Sequence, residues 1–306
     1  MILTVALLGA VLVGGRDAIA STAGEMTAYQ GTSVRGNALL VPMEARRAAL
    51  GEAFVAAGDD GSAAGNPASL AQVTRLGVFG SYHKVGDAYG ATHDGLTVPL
   101  GPGTLAAGFS YFALGEADNR DAYGMRSGGT FYYDYALFLG WGMPNPKFMG
   151  IPGWIGVTVE AVREGVGGNG EAVTVGEVVP FGDKLKAGAM VEHLGSGVDG
   201  YSLPAAGRIG ATYLIIPQVE GAADLRYGFT DHQMDVAAGV EAFPRESIQL
   251  RAGYRVQSPS LGAGGVAGLS AGVGARWKSL RLDYACQFYG DLGTGQFVTL
   301  AWGGRQ

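Results

Sequence analysis

Ten charged residues in the second half of the chain lie on the polar faces of segments in which apolar and polar residues alternate. Five are carboxylates and five are arginines: Glu220, Asp224, Arg226, Asp235, Glu241, Arg251, Arg255, Arg276, Arg281 and Asp283. Nearly balanced signs on neighbouring segments predict cross-strand ion pairs that fill and stiffen an interior. The alternative is a polar path for a substrate, and the sequence leaves both interpretations open.

The four histidines are scattered, and only His83 and His93 have acidic residues, Asp87 and Asp94, nearby in sequence. These residue types could hold a metal ion, but we favour the interpretation that they are exposed residues of loops or of a rim. The chain has no Gly-x-Ser-x-Gly elbow, Walker loop or His-Glu-x-x-His. Its single cysteine excludes an internal disulfide. We therefore expect no catalysis, no cofactor and no metal.

Composition points to an exported, folded chain. Of the 306 residues, 54 are glycine, without a collagen-like period, and the net charge of −6 comes with no basic run, which argues against nucleic acid as a partner. Residues 1–13 are apolar but too short to span a bilayer, and Ala18-Ile19-Ala20 fits cleavage before Ser21. Residues 1–20 are therefore predicted to be a signal peptide, with a buried N-terminal helix as the alternative.

From about Val73 onward, short segments alternate apolar with polar or small residues and are separated by turn residues. Their apolar faces carry Val, Leu, Ile and Tyr, as hydrocarbon requires, and their polar faces mix charges with glycine, as a crowded lumen requires. The candidate strands are 73–82, 92–99, 104–113, 131–141, 154–162, 171–180, 184–193, 207–217, 219–229, 234–243, 247–256, 267–276, 280–288 and 295–304. This pattern predicts an all-β, closed antiparallel transmembrane barrel of about fourteen strands over residues 73–306.

The predicted connections differ in length, which is typical of a membrane barrel with long loops on one rim and tight turns on the other. Residues 114–130 and 198–207 are predicted to be long loops, whereas Gln218 stands nearly alone between two strands. Residues 141–154 are predicted to be another loop. Its aromatic residues Trp141, Phe148 and Trp154 are placed either at the membrane interface or in a packed loop end.

Residues 21–72 are predicted to form an N-terminal segment with a compact plug, because residues 44–70 are rich in small residues and lack strand alternation. The candidate plug motif consists of Asp59, Asp60, Ser62, Asn66, Pro67 and Ala68. Asp60 and Asn66 can hydrogen-bond neighbouring backbone in turns, and Pro67 fixes its own φ. The motif is either structural or part of a gate, and the sequence does not decide between them.

An ordered set of motifs resembles the PorV/PorQ family, within the wider FadL-like outer-membrane barrels. The motifs are Arg47-Ala48, Gly51, Ala53-Phe54-Val55, Asp59-Asp60, Ser62-Ala63-Ala64 and Asn66-Pro67-Ala68, followed by Glu192-His193-Leu194-Gly195 and Gly290-Asp291-Leu292-Gly293. Two positions depart from the family pattern: Gly65 replaces an aromatic residue, and Glu52 stands where glycine is common.

The resemblance implies a barrel in the outer membrane of a Gram-negative (diderm) bacterium, surrounded by lipid. It implies an accessory role in type IX-like protein secretion, in which rim loops dock a protein partner. The alternatives are a FadL-like channel for a hydrophobic ligand and a structural barrel in an envelope assembly. A channel predicts an apolar pocket under the long loops, capped by the plug at residues 59–68, whereas docking predicts apolar loop tips above a blocked lumen.

Overall fold

The computed structural model describes residues 35–40, 44–58, 64–85, 89–121, 123–148, 151–165, 167–258, 267–290 and 293–303. Within them, fourteen strands follow one another along the chain. They are β1 (Gly77–Val85), β2 (Tyr89–Leu100), β3 (Gly103–Arg120), β4 (Arg126–Phe148), β5 (Ile151–Glu164), β6 (Asn169–Phe181), β7 (Leu185–Gly195), β8 (Ala206–Ile216), β9 (Val219–Gly228), β10 (Met234–Arg245), β11 (Ile248–Ser258), β12 (Leu269–Trp277), β13 (Leu280–Phe288) and β14 (Thr294–Gly303).

The strands form one closed antiparallel barrel in which each pairs with its neighbours in sequence. β1 and β14 close the sheet, with Gly77 opposite Gly303 and Val85 opposite Gly295. The predicted fold class is therefore confirmed. Closure leaves neither of these two strands with an unpaired edge along the wall. No helix among the described residues is long and apolar enough to cross a membrane.

Side chains alternate between the lumen and the outer face with period two. On β6, Ala172 and Thr174 are buried, whereas Val173 is exposed and Val175 has an exposed fraction of 52 %. Large apolar side chains on the outer faces of β2 to β5 and β7 to β14 are exposed in the same way. This distribution inverts that of a soluble protein and matches a wall that faces hydrocarbon.

The two rims of the barrel differ as predicted. Tight turns at residues 101–102, 182–184, 217–218 and 246–247 form what we call the short-turn rim. The opposite rim, which we call the long-loop rim, carries longer connections such as residues 196–205 between β7 and β8. In membrane barrels of this kind the short turns face the periplasm.

Two predicted loops are strand instead. Residues 114–130 belong largely to β3 and β4, which pair out to Asp118 opposite Gly129, and residues 141–154 belong largely to the β4–β5 hairpin. Beyond Ala113 and Asp134 the β3–β4 ribbon extends past its neighbouring strands. A ribbon outside the wall has no lumen face, so its sequence carries no alternation from which a strand could be predicted.

The described part of the N-terminal segment lies inside the barrel. It contains α1 (Asn37–Leu40), α2 (Ala45–Ala49) and a 3₁₀ helix (Pro67–Gln72), and we call its described residues within 35–72 the plug. Near the long-loop rim, the Arg35 N–H donates to the Ser202 carbonyl at 2.9 Å. Helix α2 contacts β11 to β14, and the 3₁₀ helix contacts β3 to β6. The plug thus runs through the lumen from the long-loop rim to the start of β1.

Candidate functional site

The plug backbone lies directly on glycines of the lumen wall. A side chain at Gly176 would overlap Asn66 Oδ1, and one at Gly156 would overlap the Pro67 carbonyl. Seven such glycines on two sides of the barrel contact the plug: Gly142, Gly156, Gly176, Gly188, Gly239, Gly253 and Gly272. Much of the glycine content of the wall is therefore explained by close approach of another backbone, which only a residue without Cβ permits.

Asn66 fixes the turn that precedes the 3₁₀ helix, and we call this turn the plug turn. Its Nδ2 donates to the Val55 carbonyl at 2.9 Å and to the Glu177 carbonyl at 3.3 Å, and its Oδ1 accepts from the Ala68 N–H at 3.1 Å. Pro67 occupies the first helical position, where its missing N–H costs nothing. Of the candidate plug motif, Asn66, Pro67 and Ala68 lie here, whereas Asp59, Asp60 and Ser62 lie outside the described residues.

A second plug turn is held by charged groups of the wall. Asp224 accepts from the N–H groups of Phe54 and Val55 at 2.8 and 3.0 Å. Arg208 donates to the Glu52 carbonyl at 3.2 Å, and its guanidinium lies 4.6 Å from the centre of the Phe54 ring. Since a buried carboxylate needs hydrogen-bond donors, the Asp224 carboxylate and the N–H groups of this second turn satisfy each other.

Glu52 occupies a backbone conformation that favours glycine, with φ of 71°. Glycine is common at this position in the family that the sequence resembles. The positive φ of Glu52 explains that preference, because glycine adopts this conformation without strain. The Glu52 side chain is buried and lies 3.4 Å from the Arg47 guanidinium. This contact offsets part of the backbone strain of a non-glycine residue.

One chain of alternating charges joins the plug to the wall. Arg46 of α2 pairs with Glu241 at 2.7 Å, Glu241 pairs with Arg251 at 2.6 Å, and Arg251 pairs with Asp283 at 2.6 Å. Arg281 completes the chain at 2.5 Å from Asp283. The side chains are buried or nearly so, so that each charge depends on its neighbours for compensation.

A second chain of charges runs along the lumen face from β11 to β7. Arg255 pairs with Asp235 at 2.7 Å, Asp235 lies 3.6 Å from Arg226, and Arg226 pairs with Glu192 at 2.8 Å. Arg208 lies 3.6 Å from the same carboxylate of Glu192. The alternating pattern did not identify Arg46, Glu192 or Arg208 as lumen charges, although both Glu192 and Arg208 lie in candidate strands.

The two remaining predicted lumen charges lie at the short-turn rim. Glu220 is half-buried at the start of β9, and Arg276 is exposed near the end of β12. The ten predicted residues are therefore divided between two buried charge chains, one turn contact at Asp224 and two positions at the rim.

His83 and His93 face the lumen, and the interpretation that they are exposed residues is wrong. Their exposed fractions are 3 % and 2 %. The His83 ring stacks on Phe297 at 3.8 Å between centroids, and His93 Nδ1 lies 2.7 Å from Ser110 Oγ. Asp94 follows His93 on β2 and therefore points to the opposite face. The described residues contain no group of three or more His, Cys, Asp or Glu side chains that could hold a metal ion.

A latch at the long-loop rim anchors the start of the plug. Arg35 pairs with Glu164 at 2.7 Å, and the Gly36 N–H donates to the other carboxylate oxygen at 2.8 Å. The hydrogen bond to Glu164 raises the pKa of the Arg35 guanidinium above its already high ordinary value. The Arg35 guanidinium therefore stays charged throughout the physiological range.

A β-bulge interrupts the ladder between β6 and β7. Thr174 stands opposite both Glu192 and His193, and the His193 backbone has φ of 58°. The His193 N–H donates to Thr174 Oγ1 at 3.1 Å instead of to a ladder carbonyl. Its ring Nδ1 lies 2.6 Å from the Glu160 carboxylate. Both Glu192 and His193 are thus buried, and the wall here is held partly by side chains.

An apolar trough of about 810 Å³ crosses the outer face of the wall from β4 to β9. It follows two adjacent rows of cross-strand partners. One row is Met143, Ile155, Glu177, Ala189, Ile209 and Leu225, and the other is Trp141, Val157, Val175, Val191, Gly207 and Tyr227. Ala189 has a short side chain and Gly207 has none, which leaves the middle of the trough low between larger neighbours. We call these two rows, with Asn145, the trough.

The trough lies against the part of the wall that carries the plug turn. Four lumen-facing residues also contribute to its lining: Gly156, Gly176, Met190 and Arg208. The plug residues Asn66 and Pro67 lie on the inner side of Gly156 and Gly176, and the bulge at His193 lies next to Val191. At this place only backbone separates the plug from the outer face.

The β3–β4 ribbon forms a second exposed apolar feature. It projects from the long-loop rim, and its tip carries Tyr123 and Met125 with exposed fractions of 92 % and 68 %. Phe131 and Tyr132 lie exposed on adjacent positions of β4, one on each face of the ribbon. These side chains together expose more apolar area than a single surface residue does, and such a patch is typical of an interaction surface.

Comparisons with known proteins show the fold. No protein-family profile and no curated protein matches the sequence. The toluene transporter TbuX of Ralstonia pickettii superposes with a TM-score of 0.56 at 14 % identity, covering 85 % of this chain and 96 % of that one. The toluene transporter TodX of Pseudomonas putida gives 0.55 at 10 % identity, covering 79 % and 93 %.

A FadL homologue from Pseudomonas aeruginosa gives a TM-score of 0.54 at 12 % identity, covering 86 % of this chain and 99 % of that one. The agreement spans nearly the whole length of each of these barrels. The likeness is one of shape, because the sequence identities are low. The chain therefore has the fold of the FadL-like fourteen-stranded barrels.

Proposed function

We propose that this chain is an outer-membrane barrel through which hydrophobic small molecules pass without covalent chemistry. The observation that carries the proposal is the apolar trough beside the plug turn. Two of the barrels that share the fold are toluene transporters and one is a FadL homologue, which supports the channel hypothesis over the secretion hypothesis. The lumen is filled by the plug, by the two charge chains and by a packed apolar cluster around Leu70, whereas the trough offers an apolar molecule open Val, Ile, Leu and aromatic side chains.

The route that we propose leaves the lumen sideways. An apolar pocket was expected under the long loops, but the apolar concavity lies on the outer wall, level with Asn66 to Ala68. A molecule that displaces the plug turn reaches the outer face where wall glycines carry no side chains and where the β6–β7 ladder is interrupted. From there it enters the hydrocarbon of the membrane without crossing the charge chains.

Filling the trough should stop passage. In Ala189→Trp the indole would occupy the low middle of the trough, and we expect uptake of radiolabelled toluene by cells to fall to the level of cells lacking the protein. The matched control is Ala271→Trp on β12, which adds the same side chain to an exposed outer-face alanine away from the trough. Equal uptake by both variants and the wild type would contradict a route through the trough.

A second candidate function is docking of a protein partner, in line with the resemblance to the PorV/PorQ family. The observation that favours it is the projecting β3–β4 ribbon with Tyr123 and Met125 at its tip, above a lumen that the plug occupies. Aromatic side chains and Met are enriched at protein interfaces. A structural role in an envelope assembly would use the same surface.

Docking predicts that a partner remains attached on gentle detergent extraction and depends on the ribbon. We expect the double variant Tyr123→Ser, Met125→Ser to lose a co-purifying protein that the wild type retains, as measured by quantitative mass spectrometry. The control is Tyr254→Ser, which removes an exposed aromatic from the outer face of β11. A wild-type barrel that purifies alone with lipid would reject docking and leave the channel as the function.

A further inference from the structure

Glu177 is a carboxylate on the lipid-facing side of the wall. It lies four residues before the end of β6 at Phe181, which places it roughly 10 Å inside the short-turn rim for a tilted strand. The outward glutamate Glu171, by contrast, lies near the start of the same strand at the long-loop rim and is exposed. An ionisable side chain at hydrocarbon depth is costly, so its presence calls for a partner or a function.

The geometry around Glu177 leaves it with modest support from the protein. Asn145 Nδ2 lies 3.4 Å from Glu177 Oε1, at the long limit of a hydrogen bond. Within the two outward rows of the trough, Glu177 is the only charged side chain. Among the described residues, the Glu177 carboxylate thus has one weak donor in an apolar trough, where a ligand could supply a stronger one.

Arg208 does not cancel the negative charge that Glu177 gives to the trough. Its guanidinium lies on the lumen side, 3.6 Å from Glu192, and its Nη1 donates to the Glu52 carbonyl at 3.2 Å. The second charge chain therefore compensates Arg208. An anionic head group in the trough would meet the Glu177 carboxylate first.

We propose that the trough is a binding site for hydrophobic amines, with Glu177 as the residue that holds the ammonium head. The proposal rests on the proposed route for hydrophobic molecules and names the class that this route selects. The alkyl or aryl body replaces lipid along Val175, Val191 and Ile209, and the ammonium donates to Glu177 at low dielectric, where charge-assisted hydrogen bonds are strongest. A neutral alcohol would make a weaker hydrogen bond, and a fatty-acid carboxylate would be repelled.

Trp141 provides a local signal for the test, because it belongs to the trough. A variant that keeps Trp141 as its only tryptophan, with Trp154, Trp277 and Trp302 changed to Phe, is titrated in nonionic detergent. The ligands are a brominated alkylamine, alkanol and alkanoate of equal chain length, whose bromine quenches indole fluorescence on contact. A second variant that keeps only Trp302, on the outer face of β14, corrects for partition into the micelle.

From the quenching of Trp141, we expect the amine to bind the trough roughly tenfold more tightly than the alcohol, as one charge-assisted hydrogen bond provides. The alkanoate should bind most weakly. Glu177→Gln should bring the three affinities together. Glu171→Gln, its matched control on β6, should leave the order unchanged. Ala189→Phe, which fills the middle of the trough without adding a second indole, should weaken all three, which shows that the signal comes from the trough.

The outcomes separate the two proposals. Tight binding of the alkanol without preference for the amine, or an order that survives Glu177→Gln, overturns the amine site and leaves the hydrophobic route in place. Quenching of Trp141 that never exceeds that of Trp302 for any probe overturns both. Loss of the amine preference only in Glu177→Gln supports the amine site.

Discussion

Gly156→Val is expected to displace the plug turn and to make the barrel conduct ions. A Cβ at Gly156 would overlap the Pro67 carbonyl and the Ala68 nitrogen, which are backbone atoms that cannot rotate away. Overpacking of this kind costs about 1–3 kcal/mol or more. β5 is paired along both edges, whereas the plug turn is held by a few hydrogen bonds. The plug should therefore move before the wall does.

Single-channel recording in planar bilayers measures this displacement, and limited trypsin digestion after Arg46 or Arg47 reports plug exposure independently. The control is Gly221→Val, because a Cβ there meets only Ile215 Cδ1 at an ordinary 3.5 Å. We expect the control to remain closed and protected. If Gly156→Val were equally silent and equally protected, the plug turn could not lie on the wall as described.

The barrel itself could be predicted from sequence because its wall has two chemically different faces. Segments such as 247–256 alternate strictly, since β11 faces hydrocarbon on one side and the plug on the other. The β3–β4 ribbon could not be predicted in this way, because it lies outside the wall and lacks these two faces. Residues 114–130 extend beyond the neighbouring strands and have no lumen face, so they are free of the constraint that produces a period of two.

The charge pairs show a different limit. Cross-strand reasoning predicts pairs between adjacent strands, yet Arg251 on β11 pairs with Asp283 on β13. Gly274 on the intervening β12 leaves the space, because a Cβ there would contact both side chains. Partners therefore depend on where wall glycines open a gap and on which cations the plug contributes, and neither can be read from a single strand.

Glu177 could have been recognised in the sequence. In the candidate strand 171–180 the apolar face reads Val173, Val175, Glu177 and Val179, so one carboxylate interrupts a run of valines. This face forms a trough only because of its position relative to Ala189 and Gly207, and that position depends on the register from β4 to β9. Register is set by the closed barrel as a whole and not by local sequence.

Glu241→Ala is expected to destabilise the folded barrel by about 3 kcal/mol, near the lower end for breaking a buried ion pair. Glu241 lies between two cations, with Arg46 at 2.7 Å and Arg251 at 2.6 Å. Without Glu241, Arg251 still pairs with Asp283. Arg46 of the plug keeps the hydrogen bond that its Nη1 donates to the Gly58 carbonyl at 2.6 Å. The desolvation of two guanidinium groups is then only partly compensated.

The matched control is Glu220→Ala, because Glu220 stands directly opposite Glu241 in the β9–β10 ladder but is half-buried at the short-turn rim. Its loss should change stability by less than about 0.5 kcal/mol. Urea unfolding in detergent, followed by the heat-dependent gel mobility of the barrel, measures both variants. Trypsin should also cut the plug faster in Glu241→Ala alone, since Arg46 ties α2 to the wall. Equal stability and equal cleavage of the two variants would mean that the charge chain fills space without holding the plug, and the burial of Glu241 would then reflect packing alone.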